Sequence, residues 1–232
     1  MKNRNLKAVK TEDDSYTLFY PELNEHYHSM DGAQSESEYV YIKNGLERLD
    51  KKLLSISVFE IGFGSGMNAV LAYEWALKNN KSINYFALEP YPVENEILAF
   101  LLKNTPVFCR NSDVFNKMHT AKQKDTIVIE DLFRFQLINE RIEEYEILSQ
   151  KESMDIIFYD AFAPSRQSDI WCLPNLTKAY DLLKNKGLLT TYCASGQYNR
   201  NLLSAGFDVI REKGFGKKRE MFLGKKLLKF YC

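Results

Sequence analysis

Residues 55–68, Ser-Ile-Ser-Val-Phe-Glu-Ile-Gly-Phe-Gly-Ser-Gly-Met-Asn, constrain the fold more than any other stretch. They open on a short apolar, β-branched run, the pattern of a buried parallel strand. Gly62, Gly64 and Gly66 follow at every second position. From Asn68 onward, Ala69, Val70, Leu71, Ala72, Trp75, Ala76 and Leu77 recur at helical spacing. A strand, a tight glycine turn and a helix start are how an open α/β sheet builds a ligand crevice at the carboxyl ends of its strands. Glycine suits the turn because it takes positive φ and lets a ligand approach the backbone.

The spacing narrows the ligand. A dinucleotide fingerprint, Gly-x-Gly-x-x-Gly, needs a glycine at 67, where this chain has Met67. The pattern is instead Glu60-x-Gly62-x-Gly64-x-Gly66. It resembles motif I of the class I S-adenosylmethionine (SAM) methyltransferases. SAM has no pyrophosphate to seat on a helix N-terminus, but it carries an ammonium and a sulfonium that an acid favours. The same turn would serve to pack helix on strand.

A chain of 232 residues, 45% of them hydrophobic, suffices for one α/β domain with an elaboration. No apolar run approaches the ~18 residues of a membrane span, and nothing apolar follows the charged N-terminus as in a secretory signal. Cys109, Cys172, Cys193 and Cys232 are scattered, which predicts free thiols in a reducing cytoplasm. The three histidines, His26 and His28 among them, have no third ligand close in sequence, so no metal site is expected. Net charge is zero, so a nucleic-acid partner has to be argued from local clustering.

Residues 1–54 read as an N-terminal extension packing on the cofactor site, and residues 55–232 as a Rossmann-like domain. In the extension, Ser15–Tyr20 is strand-like and Glu25–Ala33 is a strand running into a turn. Ser35 or Ser37 caps a helix whose apolar positions are Tyr39, Ile42, Leu46 and Leu49. Beyond the glycine turn, Ile83–Leu88 is the second strand, ending at Glu89. A carboxylate there accepts two hydrogen bonds from a ribose, which predicts a nucleoside ligand without choosing between NAD and SAM. Glu94–Lys103 is helical, and the stretch from there to Lys124 has no clear reading. Thr126–Ile129 is expected as the third strand, with Asp131 after it, and Arg141–Lys151 as a solvated segment. Asp155–Asp160 is the fourth strand, and Ala161-Phe162-Ala163-Pro164 follows it. Ser168–Trp171 then caps a helix running to about Leu183. Gly187–Cys193 is the fifth strand and Gly196–Ala205 a helix ended by Gly206. Phe207–Ile210 and Glu220–Leu223 form a final antiparallel pair joined through Gly214-Phe215-Gly216.

Three stretches resemble the methyltransferase part of the MnmC family, which finishes 5-methylaminomethyl-2-thiouridine at the wobble position of tRNA. They are Glu60-x-Gly-Phe-Gly-x-Gly-x-Asn68, Asp160-x-Phe-Ala-Pro164 with Trp171 downstream, and Lys213-Gly-Phe-Gly-Lys-Lys-Arg-Glu-Met221. Tyr27-His-Ser29, Glu36 and Tyr39-Val40 also match. The resemblance runs from about Asp14 to Gly224. It implies an α/β class I SAM-dependent fold with an antiparallel last strand, and SAM-dependent N-methylation of the 5-aminomethyl group of wobble (2-thio)uridine. It implies that Gly62, Gly64, Gly66 and Asn68 form the SAM loop and that Glu60 and Glu89 contact the cofactor. Asp131 would lie near adenine, with Tyr27, Ser29 and Glu36 over the same pocket. Asp160 matches the family's active-site acid, with Phe162 beside it. Bifunctional members carry a flavin (FAD) oxidase domain, for which a chain ending at Cys232 has no room. Ala161, where those members often have glycine, and Arg166-Gln167-Ser168 depart from the family pattern.

From Arg211 onward the charges are one-sided: Arg211, Lys213, Lys217, Lys218, Arg219, Lys225, Lys226 and Lys229 face only Glu212 and Glu220. Such a hairpin beside the crevice suits phosphates flanking an extruded base, which makes Lys213, Lys217, Lys218 and Arg219 candidate tRNA contacts. A solvated, edge-protecting hairpin has the same composition. Three other readings are weighed: an NAD-dependent dehydrogenase, a SAM methyltransferase acting on another amine in a small molecule or protein, and a non-catalytic RNA-binding relative.

Overall fold

The computed structural model describes residues 4–227. Lys229 and Cys232 lie outside them. The extension opens with β1 (Lys7–Lys10), β2 (Tyr16–Tyr20) and β3 (Glu25–His26), a three-stranded antiparallel sheet. The expected single helix is divided. α1 (Ala33–Ser37) passes into a π-helical turn over Glu38–Lys43, and a short 3-10 turn, Leu46–Arg48, follows. The wider π turn places Val40 and Tyr41 together in the core while Tyr39 stays half-buried at its edge. At Gly45 a Cβ would stand 2.1 Å from the Tyr41 carbonyl, so the chain turns tightly there.

The main sheet contains β4 (Ser55–Ile61), β5 (Ser82–Leu88), β6 (Thr126–Ile129), β7 (Phe133–Ile138), β8 (Met154–Tyr159), β9 (Leu183–Thr191), β10 (Asp208–Lys213) and β11 (Glu220–Lys225). Their order is β10-β11-β9-β8-β4-β5-β7-β6. Strands β7, β5, β4, β8 and β9 run parallel, and β11 enters antiparallel between β9 and β10. Both faces are covered, as a parallel sheet requires. Val58, Tyr85, Phe135 and Phe158 pack toward α2 (Met67–Asn79), α3 (Asn95–Asn104), α4 (Pro106–Arg110) and α5 (Ser112–Thr120). Phe59, Ile61, Ile157 and Tyr159 pack toward α6 (Leu173–Leu182) and α7 (Gly196–Ala205). Leu18, Val40, Tyr41 and Leu46 of the extension join the first of these cores.

The third parallel strand is β7, not the expected Thr126–Ile129. That segment is β6, an antiparallel edge strand paired Ile129↔Phe133. Asp131 therefore sits in the β6–β7 turn, exposed, where the carbonyl of the next residue, Leu132, accepts from the Ile83 N–H. This is the amino end of the parallel strands, opposite the crevice, so Asp131 does not stand at an adenine site. Among the described residues no helix is long and apolar enough to cross a membrane, and Cys109, Cys172 and Cys193 are free thiols.

Candidate active site

The carboxyl ends of β4, β5, β7 and β8 open into one cleft of about 800 Å³, measured out to solvent, within the usual range for small-molecule and cofactor sites. The glycine turn forms its floor. Gly62, Gly64 and Gly66 have φ of 94°, 52° and 79°. At Gly62 a Cβ would meet the Asp160 carbonyl at 2.2 Å, and at Gly64 it would meet the Tyr27 ring at 3.1 Å. The turn is thus pressed between the end of β8 and the extension. Gly66 is the αL residue before α2 and does not line the cleft.

Glu89, at the end of β5, is buried. Its two carboxylate oxygens accept from the Gly64 N–H (2.8 Å) and the Tyr91 N–H (2.9 Å). Burial raises its carboxyl above the ordinary value, against those two donors and Arg4. Arg4 crosses the same end of the cleft, donating to the Tyr27 hydroxyl (3.0 Å) and the Pro92 carbonyl (2.9 Å). Tyr27, whose hydroxyl is pushed upward by burial and by Glu89, stands edge-on to Phe162 with ring centroids 5.0 Å apart. His28 and Gln167 also line the cleft, as do Arg4, Tyr91, Glu140, Arg141 and Ile142, which the sequence did not mark as site residues; Arg141 and Ile142 fall in the segment expected to be solvated. Glu140, Arg141 and Ile142 follow β7, so misplacing that strand hid them.

At the opposite end Asp160 lines the cleft. Its carboxyl is raised by burial, with His28, Tyr41 and Asn68 opposing. Phe162 lies beside it, its carbonyl accepting from the Trp171 indole (2.7 Å). Glu60 and Asn68 do not line the cleft; both are buried beneath it. The Asn68 amide nitrogen donates to Glu60 Oε1 (2.8 Å) and Asp160 Oδ2 (2.7 Å). Burial raises the Glu60 carboxyl well above its ordinary value.

Ser29 and Glu36 also lie off the cleft and brace its roof. Glu36 Oε2 accepts from the Ser29 N–H (2.7 Å), and Glu36 Oε1 from Lys218 Nζ (2.7 Å). Lys218 Nζ lies 4.0 Å from the Tyr192 ring, whose hydroxyl donates to the Ala161 carbonyl (2.8 Å). Lys217 Nζ pairs with Asp31 at 3.1 Å. Two of the four proposed phosphate contacts therefore have carboxylate partners within the chain. Lys213 and Arg219 are exposed, and no ion pair joins either to the described residues. Lys226, also counted with the basic stretch, is buried and donates to the Tyr180 and Leu183 carbonyls, away from the cleft.

Residues 97–227 match the model of a family described as S-adenosyl-L-methionine-dependent methyltransferase. The chain belongs to this family. The methyltransferase is 29% identical over 215 residues to the tRNA 5-methylaminomethyl-2-thiouridine biosynthesis bifunctional protein MnmC of Marinomonas sp., covering 85% of this chain and 31% of that protein. The Idiomarina loihiensis protein of the same name is 29% identical over 222 residues, covering 89% of this chain and 36% of that one. The methyltransferase thus spans about a third of the length of the curated relatives it matches. Its fold is that of the crystal structure of MNMC2 from Aquifex aeolicus (TM-score 0.75, 22% identity, 96% of this chain and 71% of that one). Spermidine synthase from Thermotoga maritima shares the sheet less closely (TM-score 0.53, 12% identity, 95% and 71%). The cofactor of the methyltransferase is S-adenosyl-L-methionine.

Proposed function

We propose that this methyltransferase N-methylates the 5-aminomethyl group of wobble (2-thio)uridine in tRNA. The observation that carries the reading is the acid-and-aromatic end of the cleft, Asp160 with Phe162, set across from the Glu89 end along the same floor. Similarity to proteins named for tRNA 5-methylaminomethyl-2-thiouridine biosynthesis supports the substrate. Free thiols suit the cytoplasm, where tRNA is modified.

The residues present fit the cofactor. Glu89 keeps lone pairs beyond its two backbone bonds and can accept ribose hydroxyls. Leu88 and Ile142 offer apolar walls beside it for a purine, and Gly62 and Gly64 expose backbone along the floor. Tyr27, tied down by Arg4, covers Gly64 and keeps water from the middle of the cleft. Bound there, S-adenosyl-L-methionine supplies an electrophilic methyl group.

The chain's own task is to deliver a neutral amine. An aliphatic ammonium has a pKa of about 10.4, so presenting its free base at about pH 7 costs roughly 5 kcal/mol. An ordinary carboxylate would favour the cation. Burial raises the Asp160 carboxyl above its ordinary value, which makes it a better proton acceptor than a solvated aspartate. Asp160 accepts an N–H hydrogen bond and aims the lone pair, and Phe162 packs against the aminomethyl carbon or the base. Orientation of this kind supplies most of the rate gain.

The test is methyl transfer from isotopically labelled SAM to tRNA bearing 5-aminomethyl-2-thiouridine, followed by nucleoside mass analysis. One added methyl at the wobble uridine is expected. Transfer to free small amines but not to this tRNA would replace the proposed substrate.

A further inference from the structure

Asn68 sits two residues into α2, with a side chain that is 2% exposed. The glycine pattern groups it with the cofactor loop, but its amide points beneath the floor. There it meets the carboxyl-terminal ends of two neighbouring parallel strands. Glu60 belongs to β4, and Asp160 follows β8, its N–H donating to the Ile61 carbonyl. The Asn68 amide nitrogen lies 2.8 Å from Glu60 Oε1 and 2.7 Å from Asp160 Oδ2. A side-chain amide nitrogen carries two hydrogens, so both are used. The reversed amide would set a carbonyl oxygen against two carboxyl oxygens, which fixes the orientation.

We propose that Asn68 is a positioning residue: it holds one oxygen of Asp160 from below, anchored on buried Glu60, and leaves the other oxygen for the acceptor amine. The inference rests on the reading of Asp160 given above. Asn68 engages Oδ2, the Tyr41 hydroxyl also faces the carboxyl, and Asp160 borders the cleft. A carboxylate bonded at one oxygen cannot rotate freely about its Cβ–Cγ bond, so the remaining oxygen faces the acceptor in one direction. Small displacements at such a group are costly to a reaction that depends on lone-pair alignment. Glu60 makes the arrangement rigid, since its carboxyl is fully buried and its Oε1 holds the Asn68 amide in turn.

The experiment is the Asn68→Ala variant, read in two ways. The first uses the protein without cofactor or tRNA. Aspartate carboxyl carbons are isotopically labelled, and the Asp160 signal is assigned by its loss in Asp160→Asn. Donation from Asn68 favours the charged carboxylate, so its removal should move the Asp160 midpoint upward. The other titratable groups facing Asp160 are His28, Tyr41, Glu36, Tyr192, Tyr85 and Glu60; of these only Glu60, which loses the same amide donor, changes its surroundings in this variant. An unshifted midpoint would overturn the proposal. The second reading is kinetic. A fall in kcat of tenfold or more is expected, with KM for tRNA and Kd for SAM within about twofold. Unchanged kcat, or a loss confined to SAM affinity, would overturn it as well. Should Asn68→Ala fail to fold, Asn68→Ser, too short to bridge both carboxyls, is read in the same two ways. The titration needs no substrate. A wild type inactive on aminomethylated tRNA would remove the proposed substrate while the contact is still decided.

Discussion

At the scale of single residues, the cleft depends on side chains that are missing as much as on those present. Gly64 has φ of 52° beneath the Tyr27 ring. Valine there would be strained by its β-branch, at about 1–3 kcal/mol, and its methyls would push Tyr27 off the floor. Gly64→Val should therefore abolish SAM binding in calorimetry; unchanged affinity would remove this turn from the cofactor site. His119 offers a pH test beneath the same turn. It packs 5.1 Å from the Phe63 ring and 4.4 Å from Phe115, with Nε2 3.1 Å from the Ser65 carbonyl. Burial lowers it to about 4, against the bond to Ser65. The unfolded chain then binds the extra proton between roughly pH 6.5 and pH 4, where the folded one does not. His119's contribution is complete above that window and lost on descending through it, by about 3 kcal/mol across the whole range. Urea unfolding of wild type and His119→Gln at pH 7.5 and pH 4.5 isolates the effect from the carboxyls. Wild type should lose stability relative to the variant as pH falls, and parallel losses would contradict the assignment.

At the scale of elements, the β10–β11 hairpin holds the extension rather than reaching wholly into solvent. Lys218 meets Glu36, whose side chain is 5% exposed, whereas Lys217 keeps 87% of its side chain exposed in its pair with Asp31. Removing the cation from a buried carboxylate leaves that charge uncompensated, a loss of about 3–5 kcal/mol when both partners are buried. Lys218 is 39% exposed, so about 1–3 kcal/mol is the reasonable expectation for Lys218→Met. Lys217→Met should hardly change the thermal midpoint. Arg219→Ala should leave stability intact and lower the slope of log tRNA affinity against log salt by about 0.7–0.9. Thermal melts and tRNA binding over a salt series separate these roles; equal melts for the two lysine variants would refute the Glu36 clamp. The hairpin's position was legible because Gly214-Phe215-Gly216 punctuates two apolar runs. Its pairing with Asp31 and Glu36 was not, because nothing local records a partner so distant in sequence. Strand β7 was legible in principle: Phe133, Phe135 and Leu137 alternate with Arg134 and Gln136, the period of a strand. The β-branched run at 126–129 drew the assignment instead, and its exposure shows an edge strand. The glycine turn, Glu89 and Asp160 were readable because each directly follows or ends a strong apolar strand. Glu60 and Asn68 were read as facing the ligand because a motif records spacing but not which side of the floor a carboxyl takes.

At the scale of the whole molecule, the extension shares the core of the sheet domain. Leu18, Val40, Tyr41 and Leu46 are each at most 1% exposed and pack with Ile56, Val58 and Phe158. Burial of such side chains stabilises by about 1.5–3 kcal/mol each, against about 5–15 kcal/mol for a whole domain. A fragment beginning at Ser55 should therefore lose cooperative unfolding and SAM binding together. A fragment that melted cooperatively would show the sheet domain to be autonomous. The Glu36–Lys218 contact, 182 positions long, also orders events on the ribosome. Glu36 is made early and stays without its cation until Lys218 has emerged. Strand β11 is made after β10 yet lies between β9 and β10, so the sheet stays open beside β9 for the same interval. Sheet closure and roof clamping then fall together, when the β10–β11 hairpin emerges. A nascent chain carrying a finished glycine turn does not yet have an enclosed cleft, and methyl-transfer competence arrives only once the β10–β11 hairpin has been made.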